Sequence, residues 1–590
     1  VILVGLFLFL ATIALACRLY VLQIVQSADL ISQARAQQQI KLRPYIPRRQ
    51  IVDARFNVVA TDRMVYTVYA HPRMFKTEKE TIAQELGKIL SNTTAKELLE
   101  RFNQQKSGIK VAEGINEEAA EAIGKLDRSG IDLERKYVRF YPHQDLSADV
   151  VGYLDRDRQP QAGIEMSQTK ILDRPIEEYK IRHSLVPVND GEDGEDRKKE
   201  RVYMPADLLD SSIQTDNLKV KLTLNLKVQQ ATQEALQQKV KEFKAKRGTA
   251  IVMDVRDGSI VAMVNDPTYN PNEFSQYPVE LFKNWAVSDL YEPGSTFKPI
   301  NVAIALDAGV IQANSVFNDP GSIQVDGWTI ANHDFRTGGG NGAIDVTKIL
   351  EVSSNVGMVQ IVNRMKRKDY YDRLQSLEIQ QPLALDLPGA VAGTLKSKES
   401  FLNNSIDAAT TSFGQGMSIS PLKLVQLHAA IANGGKLVTP HVVSGLVDSQ
   451  GKTHWQPTLT KKQVFSSKTS KIVREMLESV VVKGSGTKAQ VLGYRIGGKT
   501  GTAQKAGSTG GYLPNAKITS FVGMFPIESP RYVILAVIDE PKVPGAFGST
   551  TGAPVVKSII DALIVSEGIS PSDPQAILNP KKQDKKEVVE

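Results

Sequence analysis

Cysteine is nearly absent from this chain: Cys17 is the single one in 590 residues. An intramolecular disulfide, a thiolate metal cluster and a Cys-x-x-Cys redox pair are therefore excluded. Histidine is sparse too, with seven residues and no His-x-x-x-His pair to set two imidazoles on one helix face. A zinc site is not expected, and no other metal or cofactor is called for. No block of Lys and Arg is interleaved with aromatics, and a net charge of +7 with pI near 9.0 is mild for this length. That argues against nucleic acid as a partner. A modestly basic surface suits acidic polymers or anionic lipid instead. There is no internal repeat. With 23% charged and 41% hydrophobic residues the composition is globular, and the length calls for two or three domains.

Charge is also missing from the first 16 residues, Val1 to Ala16. After Cys17 and Arg18 the apolar run resumes from Leu19 to Val25. A spanning helix needs roughly 20 apolar residues, and an arginine near its end can snorkel to the interface. Residues 1–25 are thus expected to anchor the chain in a lipid bilayer. A cleaved signal peptide would pass from small residues to a polar mature end, whereas here apolar sequence continues. The order Ala14, Leu15, Ala16 before Cys17 also departs from a lipoprotein cut site.

Residues 26–220 have mixed texture. Met64 to Ala70 alternate like a half-buried strand, residues 117–126 look like a short helix, and residues 189–201 contain no apolar residue and read as a solvated loop. The pattern becomes more regular in residues 221–565. Val220 to Leu224 alternate like a strand, and Leu226 to Lys246 carry apolar residues near helical spacing. Thr249–Val255 and Ser259–Val264 form a hairpin through Asp257 and Gly258. Three strand candidates close the module: Tyr494–Ile496, Thr519–Phe525 and Tyr532–Ile538. The stretch between, roughly 295 to 440, reads as helices and loops. The expected fold class is α+β, an antiparallel sheet flanked by helices with a helical subdomain. Residues 566–590 are expected to be a charged, disordered tail.

Three short signatures stand within that module: Ser295-Thr-Phe-Lys298, Ser353-Ser-Asn355 and Lys499-Thr-Gly-Thr502. Five other Ser-x-x-Lys matches begin at Ser107, Ser167, Ser420, Ser449 and Ser485, so the first signature alone is weak. Context separates it. Pro293 and Gly294 form a turn into a helix, which sets the Ser295 hydroxyl where free N–H groups favour negative charge. Lys298 lies on the same face, and as a neutral amine it could take the serine proton. Lowering a lysine by ~3 units from its usual 10.4 costs about 4 kcal/mol, and burial with a second cation, Lys499, would supply it. Ser353 and Asn355, between two helical patterns, could relay a proton and hold a substrate carbonyl. Lys499, Thr500 and Thr502 could bind a carboxylate, Gly501 would leave room for an extended substrate, and the N–H groups of Ser295 and Thr502 could form an oxyanion hole. Each signature alone also fits a bland reading: a capped helix, a polar turn, a chance lysine on a strand.

Together, and in this order, they resemble the penicillin-binding proteins, and within them the monofunctional class B transpeptidases of cell-wall synthesis. Tyr291 to Pro299, Asp386 to Gly389, Ser412 to Gly416, Gly498 to Gln504 and Ser520 to Gly523 carry the likeness further, as do Arg139 to Pro142 and Gly163 to Glu165 upstream. The resemblance implies D,D-transpeptidation of peptidoglycan stem peptides through Ser295, with Lys298 as base, Ser353 as relay and the Lys499 strand as carboxylate and oxyanion site. It also implies trapping by β-lactam antibiotics and an elongated pedestal domain over residues 26–220. The implied setting is a single-pass protein of the bacterial inner membrane with its catalytic domain outside the cytoplasm. The partners would be a membrane glycosyltransferase of the FtsW/RodA type and other division proteins. Two segments depart from the family pattern. Arg48 to Phe56 lacks both family glycines, which puts that local turn in question, and Gly548-Ser549 stands where a Gly-Gly pair is common.

A compact pedestal and the anchor's Cys17 to Gln23 run favour the division-specific, FtsI-like type over the elongation-specific one. A β-lactamase would share the acylation set and need a deacylating base. Glu399 to Asn403 imitates the Glu-x-x-Leu-Asn pattern and is read as coincidence. No glycosyltransferase motif precedes residue 220. A non-catalytic division scaffold would still support growth as Ser295→Ala.

Overall fold

The computed structural model describes residues 2–27, 39–42, 47–174, 179–182, 216–507 and 511–578. The solvated loop expected at 189–201 and residues 579–590 of the tail expected at 566–590 lie outside them, whereas residues 566–578 of that tail are described and include the end of one helix and the whole of another. By its contacts the chain divides into two units, residues 1–48 with 173–217, and residues 49–172 with 218–590.

In the smaller unit a helix, Ile2–Tyr20, continues as a π-helical turn, Val21–Val25. Its 22-residue stretch Val4–Val25 is long and apolar enough to cross a membrane, about 33 Å at the usual helical rise. The side chains from Val4 to Tyr20 are exposed. Gln39–Leu42 pairs antiparallel with Tyr179–Arg182 in the same unit.

The larger unit is built on a five-stranded antiparallel sheet ordered Gly497–Ala506, Tyr512–Phe525, Tyr532–Asp539, Arg247–Asp254, Ile260–Asp266. The middle strand, Tyr532–Asp539, is buried at every residue, because both faces of the sheet are covered. Val533, Leu535 and Val537 face a core with helices Lys298–Asp307, Pro421–Ala432 and Ser467–Lys483. Ile534, Ala536 and Ile538 face helices Leu226–Glu242 and Gly552–Glu567. The two-residue alternation of a strand thus divides one apolar run between two cores. The α+β layout read from the sequence is the one present.

Helix Pro421–Ala432 is buried all round, which carries Lys423 and His428 into the core. The strand expected at Tyr494–Ile496 is instead a turn leading into Gly497. Tyr494 N–H returns to Val491 O and its hydroxyl donates to Ile569 O, so the segment packs against residues 569–578. Those residues follow the last long helix, Gly552–Glu567, and carry a short one, Pro574–Leu578.

A second sheet links the N-terminal region to the module. Strand Lys219–Leu222 pairs antiparallel with Val443–Val447 and parallel with Ile51–Val52, which leads to Val58–Ala70. The turn between those last two closes without the family glycines. Asp53 accepts the N–H groups of Arg55 and Asn57, each at 2.8 Å, and Phe56 takes the left-handed conformation at φ 68°. The upstream segments Arg139–Pro142 and Gly163–Glu165 meet in a buried ion pair, Arg139 Nε to Glu165 Oε1 at 2.6 Å. Asp62 adds a second carboxylate to Arg139 at 3.0 Å and also pairs with Arg158 at 2.8 Å, so these charges are held as one network.

Candidate active site

Ser295 sits in a 3₁₀ turn, Gly294–Phe297, which runs into helix Lys298–Asp307. Gly294, at φ 56°, donates to Gly414 O at 3.0 Å, and a Cβ there would lie 3.1 Å from that of Ala503. The turn is pinned from below: His428 Nε2 meets Thr296 O at 2.8 Å, and Thr296 Oγ1 donates to Pro293 O at 2.7 Å. With the ring fully buried and Nδ1 without a partner among the described residues, Nε2 carries the proton, and burial drops this imidazole to about 4. Ser295 itself is half-buried on the wall of a cleft of about 390 Å³.

Lys298 and Lys499 are fully buried. Lys298 Nζ donates to Ser353 O at 2.5 Å, Asn355 Oδ1 at 2.8 Å and Ser353 Oγ at 3.2 Å. It makes no hydrogen bond to Ser295 among the described residues; such contacts often tighten only when substrate arrives. Lys499 Nζ reaches the same Ser353 Oγ at 3.0 Å. Burial first, and the Lys499 charge second, hold Lys298 well below the usual lysine range, against the pull of Asp319 and Asp334. Burial lowers Lys499 to about 7.

Ser353 lies between helices Val346–Glu351 and Asn355–Val362 at φ 60°, a strained conformation for a residue with a side chain. What holds it is a buried network. Asp319, fully buried, accepts from Ser354 Oγ at 2.7 Å, Asn341 Nδ2 at 2.7 Å and Asn332 Nδ2 at 2.8 Å. Burial opposes its charge, yet these bonds keep its carboxyl below the ordinary range. Asn332 Oδ1 in turn accepts Asn355 N–H at 2.8 Å. One proton of the Asn355 amide is spent on Ala331 O at 2.9 Å, leaving one for a substrate.

Thr500 and Thr502 line the cleft, and Thr500 Oγ1 shares a 2.8 Å hydrogen bond with Ser485 Oγ. Gly501 is placed otherwise than expected. The space of a Cβ there is taken by Ser520 Oγ at 2.5 Å and Thr296 Cγ2 at 2.9 Å, so glycine lets the strand close on the serine turn. Gly548 is tied to the same spot, since a Cβ on it would meet Ser520 O at 2.2 Å; its neighbour Ser549 lines the cleft. Of the competing serines, Ser107 bonds to His71, Ser167 to Asp386 O, and Ser420 caps a helix whose Lys423 bonds to Gln426. Ser449 is exposed. Ser485 does enter the cleft, as a partner of Thr500 rather than beside a buried amine.

With this geometry in view, a family model of the penicillin-binding protein transpeptidase domain matches residues 248–561, and one of the penicillin-binding protein dimerisation domain matches residues 45–184. The chain belongs to the penicillin-binding protein transpeptidases. Within them it is a class B, FtsI-like member. It is 39% identical over 595 residues to the peptidoglycan D,D-transpeptidase FtsI homolog of Mesostigma viride, covering 97% of each chain. It is 29% identical to the peptidoglycan D,D-transpeptidase FtsI of Escherichia coli, over 89% of this chain and 84% of that one. Penicillin-binding protein 3 of Mycobacterium tuberculosis, solved in complex with aztreonam, superposes with a TM-score of 0.65 at 26% identity, over 90% of this chain and 98% of that one.

His333 also borders the cleft of this penicillin-binding protein, and nothing in the sequence pointed to it. No Asp or Glu lines that cleft among the described residues. Glu399 is exposed on the short helix Lys398–Asn403, whose Phe401 packs on Tyr370 and Tyr371.

Proposed function

We propose that this protein is a peptidoglycan D,D-transpeptidase that works through an acyl-enzyme on Ser295. The observation that carries the reading is Ser353 Oγ, held between two buried amines at 3.2 and 3.0 Å. Lys298, disfavoured as an ammonium by its surroundings, takes the Ser295 proton. Ser295 Oγ then bonds to the penultimate D-Ala carbonyl carbon of a stem peptide, and the C–N bond to the last D-Ala breaks. The proton passes through Ser353 to that leaving amine. An amine of a second stem peptide attacks the ester, its N–C bond replaces the serine O–C bond, and Ser295 recovers a proton. Lys499, Thr500 and Thr502 hold the donor's terminal carboxylate, and the N–H groups of Ser295 and Thr502 take the oxyanion. Asn355 offers its remaining amide proton to a substrate carbonyl.

A β-lactam offers the same amide and carboxylate, but its leaving amine stays tethered, so the ester persists. The aztreonam complex of the mycobacterial relative supports this extension. That no Asp or Glu lines the cleft among the described residues speaks against a β-lactamase, which needs a base for fast deacylation. The FtsI names of the relatives favour a septal role over an elongation role. The setting proposed is a bilayer anchor at 1–25, a pedestal at 26–220, a catalytic module at 221–565 outside the cytoplasm and a membrane glycosyltransferase partner of the FtsW/RodA type.

Intact-mass and peptide mapping after penicillin treatment test the chemistry. One adduct on Ser295, absent in Ser295→Ala and lasting far longer than seconds, is expected. An adduct elsewhere, or none, ends the reading, and decay within seconds makes the protein a hydrolase. A fluorescent fusion at midcell is expected; a lateral-wall pattern would favour elongation.

A further inference from the structure

We propose that Asp319, beyond holding the Ser353 loop, is the buried counter-charge that keeps a single proton on the Lys298–Lys499 pair. The inference rests on the transpeptidase reading above. Asp319 ends the strand Val316–Asp319, is 0% exposed and makes no ion pair among the described residues. Its oxygens meet uncharged donors: Ser354 Oγ and Asn341 Nδ2 at 2.7 Å, Asn332 Nδ2 and Gly321 N–H at 2.8 Å. Such bonds offset part of the cost of a carboxylate withdrawn from water, and the rest calls for a cation nearby. Three hydrogen bonds lead to one. Asn332 Nδ2 donates to Asp319, Asn355 N–H donates to Asn332 Oδ1 at 2.8 Å, and Lys298 Nζ donates to Asn355 Oδ1 at 2.8 Å.

The other charges around the loop are matched or lie toward water. Glu351, two positions before Ser353, pairs with Lys348 at 3.1 Å. Arg364 stacks on Phe317, two positions before Asp319, at 5.2 Å. His333 and Asp334 stand 3.8 Å apart with side chains 68% and 44% exposed, where solvent screens them. Burial and the Lys499 charge push Lys298 down, and Asp319 pulls it back, with Asp334 adding to that pull from the exposed side. Asp319 is thus the carboxylate that faces the two amines from within the protein. With Lys298 neutral and Lys499 protonated, the three buried groups are neutral together. A second proton would leave a net positive charge, and loss of the first a net negative one, each costly where water is excluded. Asp319 touches no substrate; it is a positioning residue that acts on the base through its charge.

The test is penicillin acylation of the full-length protein in detergent, followed from about pH 5 to 10, in the wild type, Asp319→Ser, Asp319→Asn and Ser354→Ala. Ser354→Ala removes one bond to Asp319 and keeps its charge. All three variants should be slower at their optimum, by about tenfold. The two uncharged ones alone should carry the bell-shaped profile to lower pH, because both amines then hold a proton less well. On the acid side they should therefore keep a larger share of their optimal rate than the wild type, by about threefold or more. Asp319→Ser leaves room for water beside the donors, whereas Asp319→Asn sets an amide against those of Asn332 and Asn341, so agreement between the two separates charge from repacking. A profile that stays in place in both, a Ser354→Ala profile that moves as far, or loss of the fold in both overturns the proposal and leaves the catalytic reading intact. If penicillin does not acylate Ser295 in the wild type, the two readings fall together.

Discussion

Lys298 and Lys499 donate to one and the same atom, Ser353 Oγ, at 3.2 and 3.0 Å. Two ammonium groups that close repel, so the pair is stable with one proton missing, and its titrations belong to the pair. The mechanism proposed above needs Lys298 neutral and Lys499 charged. The rate should therefore rise as pH climbs through the depressed range of Lys298 and fall as Lys499 loses its proton at about 7. Stopped-flow penicillin acylation across pH 5–10 (on the order of the lysine range) checks this. Lys499→Arg keeps its charge and should lose the descending limb. A limb unchanged in that variant would assign it to another group.

Ser353 has a side chain at φ 60°, where glycine has no steric cost. Ser353→Gly and Ser353→Ala both remove the shared oxygen, so both should lower acylation by a similar factor, on the order of a hundred. Their stabilities should differ: glycine should exceed alanine by about 1 kcal/mol in urea unfolding. Equal stability would mean that the loop relaxes when the hydroxyl is gone, and that the strain is not stored there.

The meeting of the three signatures around one cleft was legible because they are short and ordered in the chain, and hydrophobic period exposes strands such as Tyr532–Asp539. The support for those groups was not legible. Asp319 and Asn332 hold the Ser353 loop from 34 and 21 positions upstream, and a lone Asp or Asn carries no pattern that announces a buried network. His428 is a single polar ring in an otherwise apolar helix, and no spacing announces its tie to Thr296. Gly501 was read toward substrate, whereas the structure fills its missing Cβ with Thr296 and Ser520, a packing relation between distant segments. The turn at Phe56 shows the reverse case, in which a family glycine is lost and an Asp53 carboxylate closes the loop regardless.

That packing relation makes Gly501→Ala informative. A methyl there meets Ser520 Oγ, which can rotate, and Thr296 Cγ2, which sits in the nucleophile's own turn. Overpacking of this kind costs about 1–3 kcal/mol. The expected result is slower acylation that is partly restored by adding Thr296→Ser, which removes the obstructing methyl. If the double variant is no faster than Gly501→Ala, the obstruction lies toward the substrate.

His428 offers a test of stability free of catalysis. Its folded form refuses a proton until about pH 4, while the unfolded chain takes one near 6.5. Between those values the unfolded state binds more protons, so this group's contribution is intact above 6.5 and is lost as pH falls toward 4. The loss should reach about 3 kcal/mol. His428→Gln keeps a donor for Thr296 O but cannot titrate. Comparing urea unfolding of the two proteins in detergent at pH 7 and pH 4 cancels every other group. The wild type should lose the extra stability and the glutamine variant should not. Parallel losses would mean that the imidazole is protonated in place, with the Ser295 turn opening to let it.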